Sequence, residues 1–200
     1  MRKIICHGDS LTQGADIEPA LRWPSLLQNA LGNVEAINTG IGGDTTAGLL
    51  SRFGADVVSQ QPDAVIIMGG TNDFWWGLPL NTVLANLSAM ACQARHYGIA
   101  PVFGLPTPVN VQQALQQSWS PPEKGYDQLM SDIHSLTQRL AKDARESEIP
   151  LLNFYGLFLD ENDAVCPNLF LEDGTHPNGR GHREMAALAA VELKKIFLLP

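Results

Sequence analysis

Residues 64–73 read AVIIMGGTND, and this stretch decides the fold. It holds five apolar residues, then two glycines, then three small polar residues. An apolar run this short, bounded by turn signals, predicts a strand that is buried on both faces. Strands of this kind belong to parallel sheets that carry helices on both sides. The stretch therefore predicts a central strand that delivers polar side chains to one edge of a sheet.

Short apolar runs alternate with longer amphipathic stretches along the rest of the chain. Four more strands are expected, at residues 3–6, 34–38, 101–105 and 151–153. The amphipathic stretches predict helices at residues 23–31, 46–60, 81–97, 126–147 and 181–197. This alternation implies parallel strands joined by right-handed crossovers. Residues 1–200 are therefore expected to form a single α/β domain, a three-layer α/β/α sandwich around a five-stranded parallel sheet.

Residues 106–124 break this pattern. They contain four prolines, several glutamines and Trp119, and they show neither a helical nor a strand period. The segment follows the fourth expected strand, so it starts at the edge where the polar loops gather. Long irregular loops in such positions are often functional, and we expect a lid or a specificity insertion here. A dimer contact and an inert surface loop are the alternatives.

The charge balance excludes several classes of partner. Thirteen Lys and Arg against 21 Asp and Glu give a net charge of −8 at pH 7. A chain this acidic is repelled by nucleic acid and by anionic membrane surfaces. No apolar run approaches the roughly 20 residues of a membrane span. We therefore expect neither nucleic-acid binding nor membrane insertion.

The cysteines favour a reducing compartment. There are three, Cys6, Cys92 and Cys166, and an odd number cannot form a complete disulfide framework. No two of them have the spacing of a zinc ribbon or a redox pair. The apolar run before His7 is too short for the core of a signal peptide. These observations predict a cytoplasmic protein.

Polar loops that contain glycine follow the expected strands. GDS at residues 8–10 follows the first strand, GGD at 42–44 the second, and GTND at 70–73 the third. The last long loop carries DGTHP at residues 173–177. Ligands of open α/β sheets bind outside the carboxyl ends of the strands. Four such loops at one edge predict an active site there.

Three residues in these loops have the chemistry of a nucleophilic hydrolase. The hydroxyl of Ser10 is a poor nucleophile until a base takes its proton. His176 is the candidate base, since an imidazole with a pKa of roughly 6.5 can shuttle protons near neutral pH. Asp173 lies three residues earlier, where a tight turn can bring its carboxylate to the imidazole and fix the tautomer. Ser10, His176 and Asp173 are therefore the expected catalytic residues.

The other four histidines are expected to be structural. His7 precedes the nucleophile turn, so we expect it to support that turn. His96 and His134 fall inside predicted helices, and His182 lies at the start of the last one. A surface or capping role is the expectation for these three.

Four blocks of sequence, taken together, resemble those of the SGNH (GDSL) hydrolase family. They are GDSL at residues 8–11, GD at 43–44, GTND at 70–73 and DGTHP at 173–177. Each block alone is a weak signal, but all four occur in order, at strand ends, over nearly the whole chain. The resemblance implies a flavodoxin-like sandwich that hydrolyses esters or thioesters with no metal and no cofactor.

The resemblance also implies an oxyanion hole. It assigns the donors to the backbone N–H of Ser10, the backbone N–H of Gly43 and the side-chain amide of Asn72. These groups suit the task, because glycine lets the backbone approach a ligand closely and an amide donates without acting as a base.

Substrate contacts are expected from aromatic residues beside these blocks. Phe74, Trp75 and Trp76 directly follow the GTND block, and the irregular segment supplies another tryptophan. The candidates for substrate binding are Asp9, Phe74, Trp75, Trp76 and Trp119. No interfacial amphipathic segment is evident, so we expect a small-molecule ester with a small to medium acyl group. A homo-oligomer is a further expectation, through the segment 106–124.

Three other functions fit part of this pattern. Carbohydrate O-deacetylation is a close variant on the same site. A metal-dependent phosphoesterase could use Asp9, Asn72, Asp73 and His176 as ligands, but the loops hold one histidine and no HxxxH or DxH spacing. A nucleotide-binding module is disfavoured, because residues 40–45 lack the third glycine of G-x-G-x-x-G and no P-loop motif exists.

Overall fold

A parallel sheet forms the centre of the structure, a computed structural model that describes residues 1–197. The strands are β1 (Arg2–Gly8), β2 (Val34–Asn38), β3 (Ala64–Met68), β4 (Ala100–Gly104) and β5 (Leu151–Leu152). The helices are α1 (Ser10–Gln13), α2 (Trp23–Leu31), α3 (Thr46–Asp56), α4 (Thr71–Trp75), α5 (Leu80–His96), α6 (Val111–Ala114), α7 (Tyr126–Glu146), α8 (Phe154–Leu157) and α9 (Gly179–Phe197). The strands pair in parallel in the spatial order β2-β1-β3-β4-β5. The predicted five-stranded parallel sheet is confirmed.

Side chains of the strands alternate between two cores, as the pleat requires. Ile5 and Ile67 face a core that they share with α3, α5 and α7. Ile4 and Ile66 face the opposite way, into a core shared with α2 and α9. Each fully buried side chain of this size stabilises the fold by about 1.5–3 kcal/mol. Helices therefore cover both faces, and the three-layer α/β/α sandwich is confirmed.

Several element boundaries differ from the sequence predictions. β1 runs two residues past the expected end, because His7 and Gly8 pair with the last residues of β3. The helix expected at residues 46–60 ends at Asp56, and a separate 3₁₀ turn covers Val58–Gln60. The chain has to leave the helical conformation before Pro62, since a residue preceding proline disfavours it. The helices α1, α4, α6 and α8 were not predicted, because four or five residues carry no readable period.

The strand order creates a crevice between the carboxyl ends of β1 and β3. The chain moves from β1 to β2 on one side and then crosses to β3 on the other, so the loops after β1 and β3 diverge. This order is the flavodoxin-like one, whose ligands bind at that switch point. The strands approach closely there, since a Cβ at Gly8 would lie 2.7 Å from the carbonyl oxygen of Met68.

No helix within residues 1–197 is both long enough and apolar enough to cross a bilayer.

Candidate active site

Ser10 stands at the start of α1, two residues after the end of β1. Asp9 caps this short helix, because its Oδ1 accepts the backbone N–H of Leu11 at 2.9 Å. Its carbonyl oxygen accepts the N–H groups of Thr12 and Gln13. The capped turn holds the Ser10 side chain, half-buried, at the crevice.

A chain of hydrogen bonds joins the three expected catalytic residues. Ser10 Oγ lies 2.9 Å from His176 Nε2, although 166 residues separate them. His176 Nδ1 lies 2.8 Å from Asp173 Oδ2. Asp173 Oδ1 also accepts the backbone N–H groups of Thr175 and His176, at 2.7 and 2.8 Å. The DGTHP turn thus folds back on its own aspartate and points the imidazole at the serine.

The charge state of Asp173 sets the tautomer of His176. Burial raises the pKa of Asp173, but the hydrogen bonds from His176 and Thr175 outweigh burial and hold the pKa below its usual value. An ionised carboxylate can only accept, so the proton of the neutral imidazole sits on Nδ1. Nε2 is then free to accept the hydroxyl proton of Ser10, as a general base must.

The expected oxyanion donors border the same space. Within residues 1–197, no backbone–backbone hydrogen bond is donated by the N–H of Ser10 or of Gly43. Gly43 has a φ of +76°, a conformation that glycine adopts without strain. Asn72 Nδ2 donates to the carbonyl oxygen of Asp44 at 2.9 Å, which orients the amide and leaves its second hydrogen available. Ser10, Gly43 and Asn72 all line the same cavity, so their N–H groups remain the candidate donors of an oxyanion hole.

Arg52, a functional candidate that no sequence motif indicates, joins these loops through hydrogen bonds. It lies on α3 and its Nε donates to Asp44 Oδ2 at 2.7 Å. One terminal nitrogen donates to Asp56 and to the carbonyl oxygen of Thr39, both at 2.6 Å. The other donates to the carbonyl oxygen of Gly8 at 2.9 Å. One guanidinium therefore holds the segment before Ser10 and both ends of the loop that carries Gly43.

Two buried aspartates lie in the same loops. Asp9 is fully buried, and burial raises its pKa to about 7. Its Oδ2 has no hydrogen-bond partner among the described residues. Asp73 accepts the N–H and hydroxyl of Thr46 at 2.9 and 2.6 Å, and burial raises its pKa as well. Both carboxylates thus organise loops.

His7 and His182 are buried, and burial lowers the pKa of each to about 4. His7 bonds Thr39 and the carbonyl oxygen of Leu49, in keeping with a supporting role. His182 Nδ1 accepts the N–H of Trp23, the first residue of α2, at 3.0 Å. His182 therefore caps a helix other than its own, which agrees with the expected capping role, although the side chain is buried.

A cavity of about 460 Å³ opens above Ser10 and His176. Trp75, Trp76 and Trp119 line it, and the buried Asp9 borders it. Phe74 does not line it. That side chain is 1% exposed and packs in the core with α5 and α7, because successive residues of a helix point about 100° apart. Phe74 is thus a core residue, contrary to the sequence-based expectation.

The residues considered as metal ligands do not gather into a metal site. Within the described chain, no group of three His, Cys, Asp or Glu side chains is arranged to hold a metal ion. Asp73 is occupied by Thr46, and His176 by Ser10 and Asp173.

The chain matches the GDSL-like Lipase/Acylhydrolase family over residues 6–184. An arylesterase from Vibrio mimicus is 31% identical over 199 residues, covering 96% of this chain and 88% of the relative. Thioesterase 1/protease 1/lysophospholipase L1 of Escherichia coli (strain K12) is 26% identical over 196 residues, covering 96% and 84%. The solved structure of a lipolytic protein of the G-D-S-L family from Desulfitobacterium hafniense DCB-2 superposes with a TM-score of 0.81 at 26% identity, covering 96% and 99%.

The family match includes all four loops that meet at the crevice, and the solved relative shares the fold over almost its whole length. Sequence blocks, sheet order and loop positions therefore agree. The chain is a carboxylic ester hydrolase and belongs to the GDSL-like lipase/acylhydrolase family.

Proposed function

We propose that the protein hydrolyses esters of small to medium acyl groups through an acyl-enzyme on Ser10. The observation that carries the proposal is the hydrogen-bonded chain from Ser10 Oγ through His176 to Asp173, at the edge of a cleft. This is the arrangement that activates a serine hydroxyl for acyl transfer.

In the first half of the reaction, Ser10 Oγ attacks the carbonyl carbon while its proton moves to His176 Nε2. The tetrahedral intermediate then collapses and the bond to the leaving oxygen breaks. His176 gives its proton to that oxygen, and the alcohol departs. Asp173 remains ionised throughout and stabilises the imidazolium.

In the second half, water replaces the alcohol. His176 takes a proton from the water as its oxygen attacks the acyl carbon, and the carboxylic acid leaves when Ser10 recovers its proton. Negative charge on the carbonyl oxygen is stabilised in both halves by the N–H groups of Ser10 and Gly43 and the amide of Asn72. Loss of one such donor typically lowers turnover by about 10²–10³.

The cleft supports a modest substrate. Its volume of about 460 Å³ lies in the lower half of the range usual for small-molecule sites. Tryptophans line much of the cleft, and the titratable groups that reach it are Asp9 and His176. We infer an uncharged ester that buries part of its acyl group against aromatic surface.

The test combines labelling with a chain-length series. A fluorophosphonate should label wild type at Ser10 and leave Ser10→Ala unlabelled. Hydrolysis of p-nitrophenyl esters from acetate to octanoate should be fastest at short or medium chains and insensitive to EDTA. No labelling and no hydrolysis at any chain length would refute the proposal.

The same series decides between this function and carbohydrate O-deacetylation. A deacetylase should accept acetate alone and should turn over acetylated sugars faster than simple alkyl acetates. Hydrolysis of p-nitrophenyl phosphate that EDTA removes and Ser10→Ala retains would instead support a metal-dependent phosphoesterase.

We also propose a cytoplasmic location. Cys6, Cys92 and Cys166 are all free thiols, which favours a reducing compartment. Fractionation of the native host should place the protein with cytoplasmic markers. Recovery in an envelope or secreted fraction would contradict this proposal.

A further inference from the structure

Trp119 is the aromatic residue of the cleft that lies beside the candidate base. Its ring is edge-on to the imidazole of His176, with the ring centroids 6.0 Å apart. The side chain is 47% exposed and lines the cleft together with Ser10 and His176. A large apolar ring is thus left uncovered directly next to the atoms that move protons.

The segment around Trp119 is attached to both sides of the cleft. Gln117 Nε2 donates to the carbonyl oxygen of Glu172 at 3.0 Å, next to the turn that holds His176. The backbone N–H of Glu123 donates to the carbonyl oxygen of Trp75 at 2.9 Å, on α4. Trp119 therefore lies on a bridge between the base and the helix that carries Asn72.

The path of the proton identifies which part of a substrate meets Trp119. During acylation His176 Nε2 protonates the leaving oxygen, so that oxygen must come within about 2.6–3.2 Å of Nε2. The group bonded to that oxygen then lies beside the imidazole, where the Trp119 ring is exposed. Trp75 and Trp76 instead lie at the end of α4, the helix that carries Asn72.

The charge of the cleft limits the kind of leaving group. Within residues 1–197, no Lys or Arg lines this cavity. The chain as a whole carries −8. A phosphorylated or carboxylated leaving group would find no cation and would be repelled by the net charge. A flat, uncharged ring would instead stack or pack edge-on against the indole.

We propose that Trp119 forms a leaving-group subsite that selects esters of uncharged aromatic alcohols. This inference rests on the proposed function, since it uses His176 as the donor of the leaving-group proton. It assigns the aromatic preference to the alcohol part of the ester and to one residue of the segment 106–124.

The test compares two acetates that differ only in the ring of the alcohol, benzyl acetate and cyclohexylmethyl acetate. Both form the same acetyl-enzyme on Ser10, so differences between them report the acylation step through kcat/KM. Wild type should prefer benzyl acetate by about 2- to 10-fold, the range expected for an aromatic contact. Trp119→Leu should bring this ratio close to one, and Trp119→Phe should keep most of it.

A second substrate pair separates the subsite from a general effect on His176. Ethyl benzoate and ethyl cyclohexanecarboxylate carry the ring on the acyl side, so their ratio should not respond to Trp119→Leu. Trp76→Leu, at the end of the helix that carries Asn72, should shift the acyl-ring ratio and leave the alcohol-ring ratio in place. A loss shared equally by all four esters would mean that Trp119 acts on the imidazole alone and would overturn the proposal.

Leu115→Ala is the matched control, because Leu115 is a 66% exposed apolar residue four positions before Trp119 that does not line the cleft. It should leave both ratios and the rates unchanged. An unchanged alcohol-ring ratio in Trp119→Leu, with Ser10 still labelled by a fluorophosphonate, would refute the subsite while sparing the proposed function. Absence of both labelling and hydrolysis in wild type would refute the proposed function itself.

Discussion

The two sides of the cleft are held in different ways. On one side, the loops that carry Ser10, Gly43 and Asn72 follow three adjacent strands. Arg52 fastens the first two of these loops, and Asn72 donates to the second. On the other side, Trp119 lies on an irregular segment that a few single hydrogen bonds attach to its neighbours.

The difference follows from what each side has to do. Donors to an oxyanion must be placed within about 0.5 Å, and half-buried ionic hydrogen bonds give that accuracy. An aromatic wall needs only surface area and shape, and a segment attached by a few hydrogen bonds can supply both. Changes on the first side should therefore affect the turnover rate, and changes on the second side should affect the choice of substrate.

The largest effect is expected where the two sides meet, at Asp173. Asp173→Asn keeps the size of the side chain but cannot hold the Nδ1 proton, so His176 loses its tautomer. We expect kcat/KM for p-nitrophenyl acetate to fall by roughly 10⁴. Asp143→Asn, on the exposed face of α7, is the control and should change it little. A loss below about tenfold at Asp173 would show that another group orients the base.

The next effect tests the donors on the fastened side. Asn72→Ala removes an amide that Asp44 orients, and kcat should fall by about 10²–10³ with little change in KM. Asn153→Ala serves as control, because Asn153 caps α8 and does not line the cleft. It should lower the free energy of unfolding by about 0.5–2 kcal/mol without this loss of turnover. A rise in KM at constant kcat in Asn72→Ala would contradict an oxyanion role.

A third prediction concerns the ion pairs and hydrogen bonds of Arg52. Arg52→Met leaves Asp44 and Asp56 without their cation, so the loops of Ser10 and Gly43 should shift. We expect kcat to fall roughly 10- to 100-fold with a smaller change in KM, since sub-ångström misplacement weakens transition-state contacts most. Arg52→Lys should recover part of the stability but little of the rate, because lysine lacks the fork that reaches several acceptors.

Arg139→Met provides the comparison for Arg52. Arg139 forms an exposed i,i+4 pair with Asp143, so its loss should cost less than about 1 kcal/mol and leave kcat unchanged. Arg52→Met could unfold at a lower urea concentration yet keep kcat and KM in the folded state. That result would show that Arg52 acts on stability only, and it would contradict the proposed difference between the two sides.

The catalytic loops could be predicted from sequence because each chemical signal is local. Ser10 and Asn72 follow apolar runs that predict strands, and Asp173 lies one turn from His176. Parallel strands bring their carboxyl ends to one edge, so local signals were enough to place distant residues together.

Arg52 could not be predicted in the same way. Its acceptors lie at the end of β1, after β2 and on its own helix, and only the Asp56 pair has a readable spacing. The prediction that Phe74 contacts substrate was wrong for a related reason. A five-residue helix carries no hydrophobic period, so the sequence does not indicate which of Phe74, Trp75 and Trp76 faces the core. Orientation within short helices depends on tertiary packing.

The last prediction for the fastened side concerns Asp9 and the pH dependence of the free energy of unfolding. Burial raises the pKa of Asp9 to about 7, against about 3.8 in the unfolded chain. Between these values the native state holds a proton that the unfolded state has released, so stability falls as pH rises. The Asp9→Asn variant has no titratable group at this position, so it lacks this contribution to the pH dependence. Relative to the variant, wild type should therefore lose stability from pH 4 to pH 7, by at most about 1.4 kcal/mol per pH unit.

Urea unfolding of both proteins from pH 4 to pH 8 measures this difference. His7 and His182 change stability in the opposite sense, because their lowered pKa values leave them neutral in the native state while the unfolded chain takes up protons below about pH 6.5. Both proteins contain these histidines, so their contribution cancels in the difference. Curves that stay parallel over the whole range would mean that Asp9 is already ionised in the folded protein, with its second oxygen bound to solvent. The fastened side would then hold its loops without keeping a carboxyl group neutral beneath Ser10.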